Sequence, residues 1–183
     1  LTGDVTGIIQ LGEKLWITTM NNGAILTDFP ARGDTVLTGR QYTGKDGLSD
    51  QISGTCIDNS NDLFCITPAA GIKKFNPIKD IFETFSPEGL TKFFSIIAMF
   101  QDSKGSYWFG THNGGLYKYD ADSGKMRVFD VRDGLSRNMI SFITEDYRGN
   151  IWVGTFGGGI TVFEGEKMKI FNELNGLEAT SVH

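Results

Sequence analysis

From Ile140 to Ile160 the chain reads Ile-Ser-Phe-Ile-Thr-Glu-Asp-Tyr-Arg-Gly-Asn-Ile-Trp-Val-Gly-Thr-Phe-Gly-Gly-Gly-Ile. Two short runs rich in β-branched and aromatic residues flank a polar turn at Asp146 to Asn150. A second turn, Thr155 to Gly159, leads into a third run that begins at Ile160. Strand, turn, strand and glycine hairpin follow from that order. The same pattern lies 44 residues upstream, where Ile96, Asp102, Gly105, Trp108, Gly110, Thr111, Gly115 and Leu116 match Ile140, Asp146, Gly149, Trp152, Gly154, Thr155, Gly159 and Ile160. A fixed period of this size sets the fold before any single residue is read.

Aligning on Trp152 and stepping backwards gives Trp108, Phe64 and Trp16, spaced by 44, 44 and 48. Two other landmarks drift with them: the hairpin glycines Gly23, Gly71, Gly115 and Gly159, and the Gly-Leu pairs at 47–48, 89–90, 134–135 and 176–177. Each repeat holds four strand-like runs and no helical periodicity of useful length. This predicts an all-β chain of four blades, each of four antiparallel strands, as in a β-propeller. The blades span 5–42, 52–85, 96–129 and 140–171. The extra residues of the first repeat fall in a loop from Phe29 to Thr35, before an outer strand expected over Val36 to Tyr42. The chain opens at Leu1, in the place of the residue just after the glycine of a Gly-Leu pair, and stops at Val182, where a further blade would start. The expectation is a segment of a larger propeller, with a closed four-bladed ring as the alternative.

The landmarks then acquire physical roles. Asp58, Asp102 and Asp146, each six residues before the aromatic, sit where an Asx-turn ties down the first hairpin. Trp16, Phe64, Trp108 and Trp152 offer the large flat surface that packs one twisted sheet on the next. Tyr42, Phe85, Phe129 and Phe171 are expected to anchor the outer strands.

Composition narrows the function classes. In 183 residues, 39% are hydrophobic and 21% charged, a globular balance, while 24 glycines against 4 prolines suit many short strands joined by tight turns. A net charge of −5 without a basic stripe weighs against nucleic acid. The longest apolar run, Phe93 to Phe100, is too short to span a bilayer. Two cysteines, Cys56 and Cys65, supply neither a disulfide scaffold nor a zinc site. They fall nearly opposite each other on adjacent strands of one hairpin, so a cross-strand disulfide competes with two small buried thiols.

With the repeat written out, Glu145-Asp146, Gly149-Asn150-Ile151-Trp152-Val153-Gly154-Thr155, Gly157-Gly158-Gly159-Ile160, Phe171 and Gly176-Leu177 together resemble the two-component regulator propeller repeat. The third repeat is similar to it through Asp102, Gly105, Trp108 to Thr111, Gly114-Gly115-Leu116 and Asp133 to Ser136. Repeats one and two depart from it: Thr18 and Ile66 replace the glycine before the threonine, and Phe64 replaces the tryptophan. The resemblance implies a periplasmic, extracytoplasmic sensor segment of a hybrid histidine kinase, often recognising carbohydrate, with no catalytic residue of the kinase on this chain. The alternatives are a non-catalytic scaffold for protein interaction or secretion, and a propeller lyase.

No chemistry-bearing constellation competes with that reading. The glycine loop at Gly154 to Gly159 lacks the Lys-Ser/Thr and the helix of a phosphate cradle. Asp102 to Trp108 is similar to the Asp-box of sialidases, which is structural even there. A Ser-His-Asp arrangement would rest on His112 alone, since the other histidine is terminal. No cofactor, metal or catalytic group is expected. Ligand contacts are expected on the rim formed by the second hairpins and the links between blades, where the residue after the threonine varies as Met20, Pro68, His112 and Phe156. Asn21, Asn22 and Asn113 extend that rim, and Lys92, Arg137 and Asn138 follow the Gly-Leu pairs onto it. Aromatic faces beside amides and charges suit an oligosaccharide or another small polar ligand. Neighbouring blades or protomers are the other expected partners, with no membrane contact by the segment itself.

Overall fold

The computed structural model describes residues 4–32, 34, 36–90 and 95–177. The chain divides between Phe85 and Ser86 into two compact units, each holding two four-stranded antiparallel sheets. In the first unit, blade one comprises β1 (Val5–Leu11), β2 (Lys14–Thr19), β3 (Ala24–Asp28) and β4 (Gly39–Tyr42). Blade two comprises β5 (Gly54–Ile57), β6 (Leu63–Thr67), β7 (Gly71–Asn76) and β8 (Ile81–Phe85). In the second unit, blade three comprises β9 (Ile96–Gln101), β10 (Tyr107–Thr111), β11 (Leu116–Asp120) and β12 (Lys125–Phe129). Blade four comprises β13 (Ile140–Glu145), β14 (Ile151–Thr155), β15 (Gly159–Glu164) and β16 (Lys167–Phe171). Every strand pairs with its neighbours in sequence, so each blade is a meander. Two three-residue 3-10 turns, Gly44–Asp46 and Glu173–Asn175, are the helical elements among the described residues.

The strands of each blade begin and end within two residues of the expected spans, while β4, expected from Val36, begins at Gly39. Strand β3 pairs no further than Thr27 with Gly39, so Val36 and Leu37 have no ladder to join and lie exposed. The hydroxyl of Thr27 closes that end by donating to the Thr38 carbonyl at 2.7 Å. A supposed start of a further blade at Val182 lies outside the described residues.

Burial follows strand position. The second strands β6 and β10 are buried along their whole length, because both sheet faces are covered, while β4 and β12 are mostly exposed. In the first unit Trp16, Ala24, Tyr42 and Leu48 pack with Ile52, Leu63, Cys65 and Phe82 of blade two. In the second, Trp108, Leu116, Phe129 and Leu135 pack with Ile140, Ile143, Ile151, Val153 and Phe163 of blade four. Burying each large apolar side chain contributes about 1.5–3 kcal/mol, so these seams are the main stabilising contacts. Two of the repeat aromatics sit in them: Trp16 lies 4.8 Å from Phe75 and 5.8 Å from Phe82, and Trp108 lies 5.4 Å from Phe163. Trp152 is half-buried and stacks on Phe171 at 6.1 Å. The expected outer anchors are uneven, with Tyr42 and Phe129 buried and Phe171 exposed.

The aspartates do more than the turn requires. Asp102 Oδ1 accepts from the N–H groups of Lys104 and Ser106, and its Oδ2 accepts from Trp108 Nε1 at 2.8 Å. Asp146 repeats this with Arg148, Asn150 and Trp152, and those bonds hold its carboxyl well below the usual carboxylate range. In blade two Asp58 accepts from Ser60 and Asp62, and the aromatic at the tryptophan position, Phe64, has no side-chain N–H to offer.

The departures of repeats one and two from the pattern have a packing account. A Cβ on Gly110 would lie 2.5 Å from Ile140 Cγ2, so the inner strand of blade four passes where a side chain would be. The residue opposite Gly110 on β9 is Ala98, and the equivalent pairs are Gly7 with Thr18, Gly54 with Ile66, and Phe142 with Gly154. Each blade thus keeps one glycine in this cross-strand pair. In blades one and two it has moved to the inner strand, and a Cβ on Gly7 would meet Thr55 Oγ1 at 2.1 Å.

The cysteines are free. Cys56 pairs in register with Phe64, and Cys65 with Thr55. They are one step out of register, and residues offset in this way point to opposite faces of a sheet. They are near each other on adjacent strands, as expected, but do not face each other, and of the two alternatives the structure has the two free thiols. Burial raises both thiols, Cys56 to about 12.

Candidate functional site

The second hairpin of each blade is built around a left-handed glycine. Gly23, Gly115 and Gly159 have φ of 67°, 79° and 78°, and a Cβ on any of them would overlap the carbonyl of the outer-strand residue beside it. The threonine ending the second strand closes the loop, as when Thr111 Oγ1 donates to Gly115 O and accepts from Gly114 N–H at 2.8 Å. The three residues between threonine and glycine are thereby held out at the end of the sheet.

In the second unit this brings the predicted residues together. His112 N–H donates to Ser95 O, Gly115 N–H to Asn138 O at 3.0 Å, and Phe156 N–H to Met139 O at 3.0 Å. The hairpin carrying His112 and Asn113, the link carrying Arg137 and Asn138, and the hairpin carrying Phe156 therefore share one rim. His112, Asn113 and Arg137 are exposed, and Phe156 and Asn138 are half-buried. Asn138 is partly committed to structure, since its Oδ1 accepts from Val131 N–H at 3.0 Å. The link is further pinned by Ser136, whose N–H donates to Thr161 Oγ1 and whose hydroxyl lies 3.1 Å from Thr155 Oγ1.

Met20, Asn21 and Asn22 occupy the corresponding hairpin of blade one, in the other unit. Met20 N–H donates to Asp4 O, and Gly23 N–H to Asp50 O. Asn21 and Asn22 line a concavity of about 430 Å³ with Gln41, Thr43, Lys45 and Asp50. Lys92 lies outside the described residues.

Blade four has the same kind of concavity, about 300 Å³, lined by Ser136, Arg137, Gly157, Gly158, Ile170, Asn172, Glu173 and Leu174. Sequence reasoning missed the residues after the outer strand, although the Gly-Leu landmark marks their place. Leu48, Leu135 and Leu177 each donate their N–H to the carbonyl five residues back, at Thr43, Asp130 and Asn172. The side chains of Asp46, Asp133 and Asn175 accept from the N–H of those same residues. The link is a capped turn that presents residues 44–45 and 173–174 beside the hairpin.

A larger concavity, about 440 Å³, opens at the other end of blades three and four. Several of its charges are spent within the protein. Arg127 pairs with Glu166, Lys118 covers the Trp108 ring, and Glu145 accepts from the N–H and hydroxyl of Ser103. That end clasps blade to blade. Among the described residues no three His, Cys, Asp or Glu side chains gather as a metal site, and no helix is long and apolar enough to cross a membrane.

Residues 95–113 and 134–157 match the family model described as two component regulator propeller. The third and fourth blades carry the two-component regulator propeller repeat. Among solved structures, the extracellular domain assigned to the hybrid two component system BT3049 of B. thetaiotaomicron is 24% identical with a TM-score of 0.75. The match covers 99% of this chain and 24% of that one. The extracellular domain of BT4673 from the same organism is 20% identical, TM-score 0.71, over 98% of this chain and 24% of that one. Streptogramin B lyase is 17% identical, TM-score 0.64, over 90% of this chain and 53% of that one. At these identities the likeness is one of fold, and the fold is a β-propeller. The chain spans about a quarter of the length of the two extracellular domains. No curated protein matches it.

Proposed function

We propose that this chain is a ligand-sensing segment of an extracytoplasmic propeller in a two-component signalling protein, and that it recognises carbohydrate on the rim carrying His112, Asn113, Arg137, Asn138 and Phe156. The repeat in blades three and four supports the sensor role, and the extracellular domains it is similar to support the location. The observation that carries the site is the backbone bonding of two hairpins and one link into a single rim with exposed polar side chains around a half-buried aromatic. Sugars offer apolar C–H faces and many hydroxyls, which an aromatic ring, a guanidinium and amides complement.

Isothermal titration of an oligosaccharide panel tests this reading. Each contact is worth about 1 kcal/mol, so Arg137→Ala or Phe156→Ala should weaken binding several-fold while the far-ultraviolet spectrum stays unchanged. Undiminished affinity in the folded double variant, or a bound sugar that touches only the end bearing Asp102 and Asp146, would overturn it.

A further inference from the structure

We infer that the concavity of blade four seats a neutral sugar by its vicinal diol, held between the Arg137 guanidinium and the Glu173 carboxylate, with Gly158 as the residue that positions Arg137. This rests on the rim reading above and narrows it to one seat and one ligand class.

Gly158 is the starting point. A Cβ there would lie 2.3 Å from Arg137 Cγ and 2.7 Å from Thr155 Oγ1. The aliphatic stem of Arg137 therefore crosses the hairpin over the backbone of residue 158. The turn itself does not demand a glycine at this position: the left-handed residues are Gly157 and Gly159, and blades one and two carry Asn22 and Ala70 in the equivalent place. What the missing side chain admits is Arg137.

The opposite wall is equally well fixed. Asn172 Oδ1 accepts from Leu174 N–H at 3.0 Å, and Asn172 N–H donates to Asn175 Oδ1, so the turn presents Glu173 and Leu174 to the concavity. Neither Arg137 nor Glu173 has an ion-pair partner among the described residues. Arginine only donates and an ionised glutamate only accepts. A pair of adjacent hydroxyls, each able to do both, satisfies the two together. Leu174 is 95% exposed and offers apolar surface to a ring C–H face. The two charges cancel, so a carboxylated sugar that gained Arg137 would also meet Glu173. The volume, about 300 Å³, suits a small ligand.

The test is calorimetric titration with cellohexaose, xylohexaose and mannohexaose as neutral probes and hexagalacturonate as the acidic one. At least one neutral probe should bind more tightly than the acidic one. A charge-assisted contact is worth roughly tenfold in affinity, so Arg137→Ala and Gly158→Ala should each weaken that probe by about this factor. The double variant should bind no more weakly than Arg137→Ala alone: in blade one Asn22 N–H still donates to Thr19 Oγ1 with a side chain at the equivalent place, so the alanine at 158 acts on binding through the arginine. Glu173→Gln should narrow the preference for neutral over acidic sugar. If Arg137→Ala and Phe156→Ala weaken binding but Gly158→Ala and Glu173→Gln do not, or if the effects at 137 and 158 add, the inference falls and the rim reading stands. If the wild-type protein binds none of the probes, or if every variant binds like it, both fall.

Discussion

Replacing Asp102 with alanine should destabilise the second unit far more than Asp58→Ala destabilises the first, and the difference can be worked from three donors. Asp102 is 3% exposed and accepts from Lys104 N–H, Ser106 N–H and Trp108 Nε1. Lys104 is exposed and recovers water when the carboxylate is gone. Ser106 and Trp108 are buried and do not. Each buried donor left without a partner costs about 1–3 kcal/mol, so Asp102→Ala should cost about 2–6 kcal/mol, a large share of the roughly 5–15 kcal/mol that holds an ordinary domain together. In blade two Ser60 is exposed, Asp62 is half-buried and Phe64 has no indole to orphan, so the counterpart cost is about 1–2 kcal/mol. Urea unfolding followed by circular dichroism reads both as shifts in midpoint at constant slope. The decisive arm is Trp108→Phe on the Asp102→Ala background, which removes the orphaned N–H and should recover about 1–3 kcal/mol. Equal costs at Asp58 and Asp102, together with no recovery in that double variant, would refute the assignment of the stabilisation to the buried indole bond.

Three further outcomes are expected. The Tyr42 hydroxyl donates to Asp80 at 2.6 Å, and burial together with that carboxylate raises its pKa from 10.0 to about 12. Its contribution is therefore full below pH 10 and lost as pH rises through 12. Tyr42→Phe should lower stability by about 1 kcal/mol at neutral pH and flatten the alkaline limb of the stability profile. Asp146 has its carboxyl lowered by the Trp152 and Asn150 bonds, so its contribution is present above the ordinary value of 3.8 and lost on acidification below it. Asp146→Asn should shallow the acid limb in a pH series of unfolding midpoints. Cys56 and Cys65 should both label with a thiol reagent in denaturant without prior reduction and label slowly in the folded protein, because burial disfavours the thiolate.

The fold was legible because a propeller blade repeats its landmarks at fixed phase, and landmarks that drift together are independent readings of one register. Trp108 and Gly115 mark the second strand and second hairpin of a blade, and the structure has them there. What escaped the sequence were relations between residues distant in the chain. The pairing of Cys56 with Phe64 in place of Cys65 depends on a one-residue register choice that alternation cannot fix when the strand is buried on both faces. The outer strand of blade one starts late because β3 runs out of pairing residues, a fact about its partner and not about Val36. The candidate rim was legible as positions, since variation at a fixed place in a repeat points outward. Its concavities were not, because they are closed by the turn after the outer strand, where Lys45 and Glu173 look like ordinary loop residues.

The glycines separate scaffold from site more sharply than any other residue type here. Gly110, Gly154, Gly7 and Gly54 answer the same demand, that one member of a cross-strand pair have no side chain, and the demand is met from either strand. A requirement that can be moved between strands belongs to the packing of the fold. Gly158 differs in kind. Its backbone lies outside the left-handed region, two other blades fill its position with Asn22 and Ala70, and the space it leaves is bounded by Thr155 Oγ1 and entered by one arginine stem from the preceding link. A glycine that the turn can do without, and that one particular side chain uses, is explained by what that side chain is for. On this argument the degenerate repeats are not weakened blades but blades in which the same packing is reached with the small residue transposed. The place to look for what distinguishes this propeller from others of its repeat is where a small residue has no such structural equivalent.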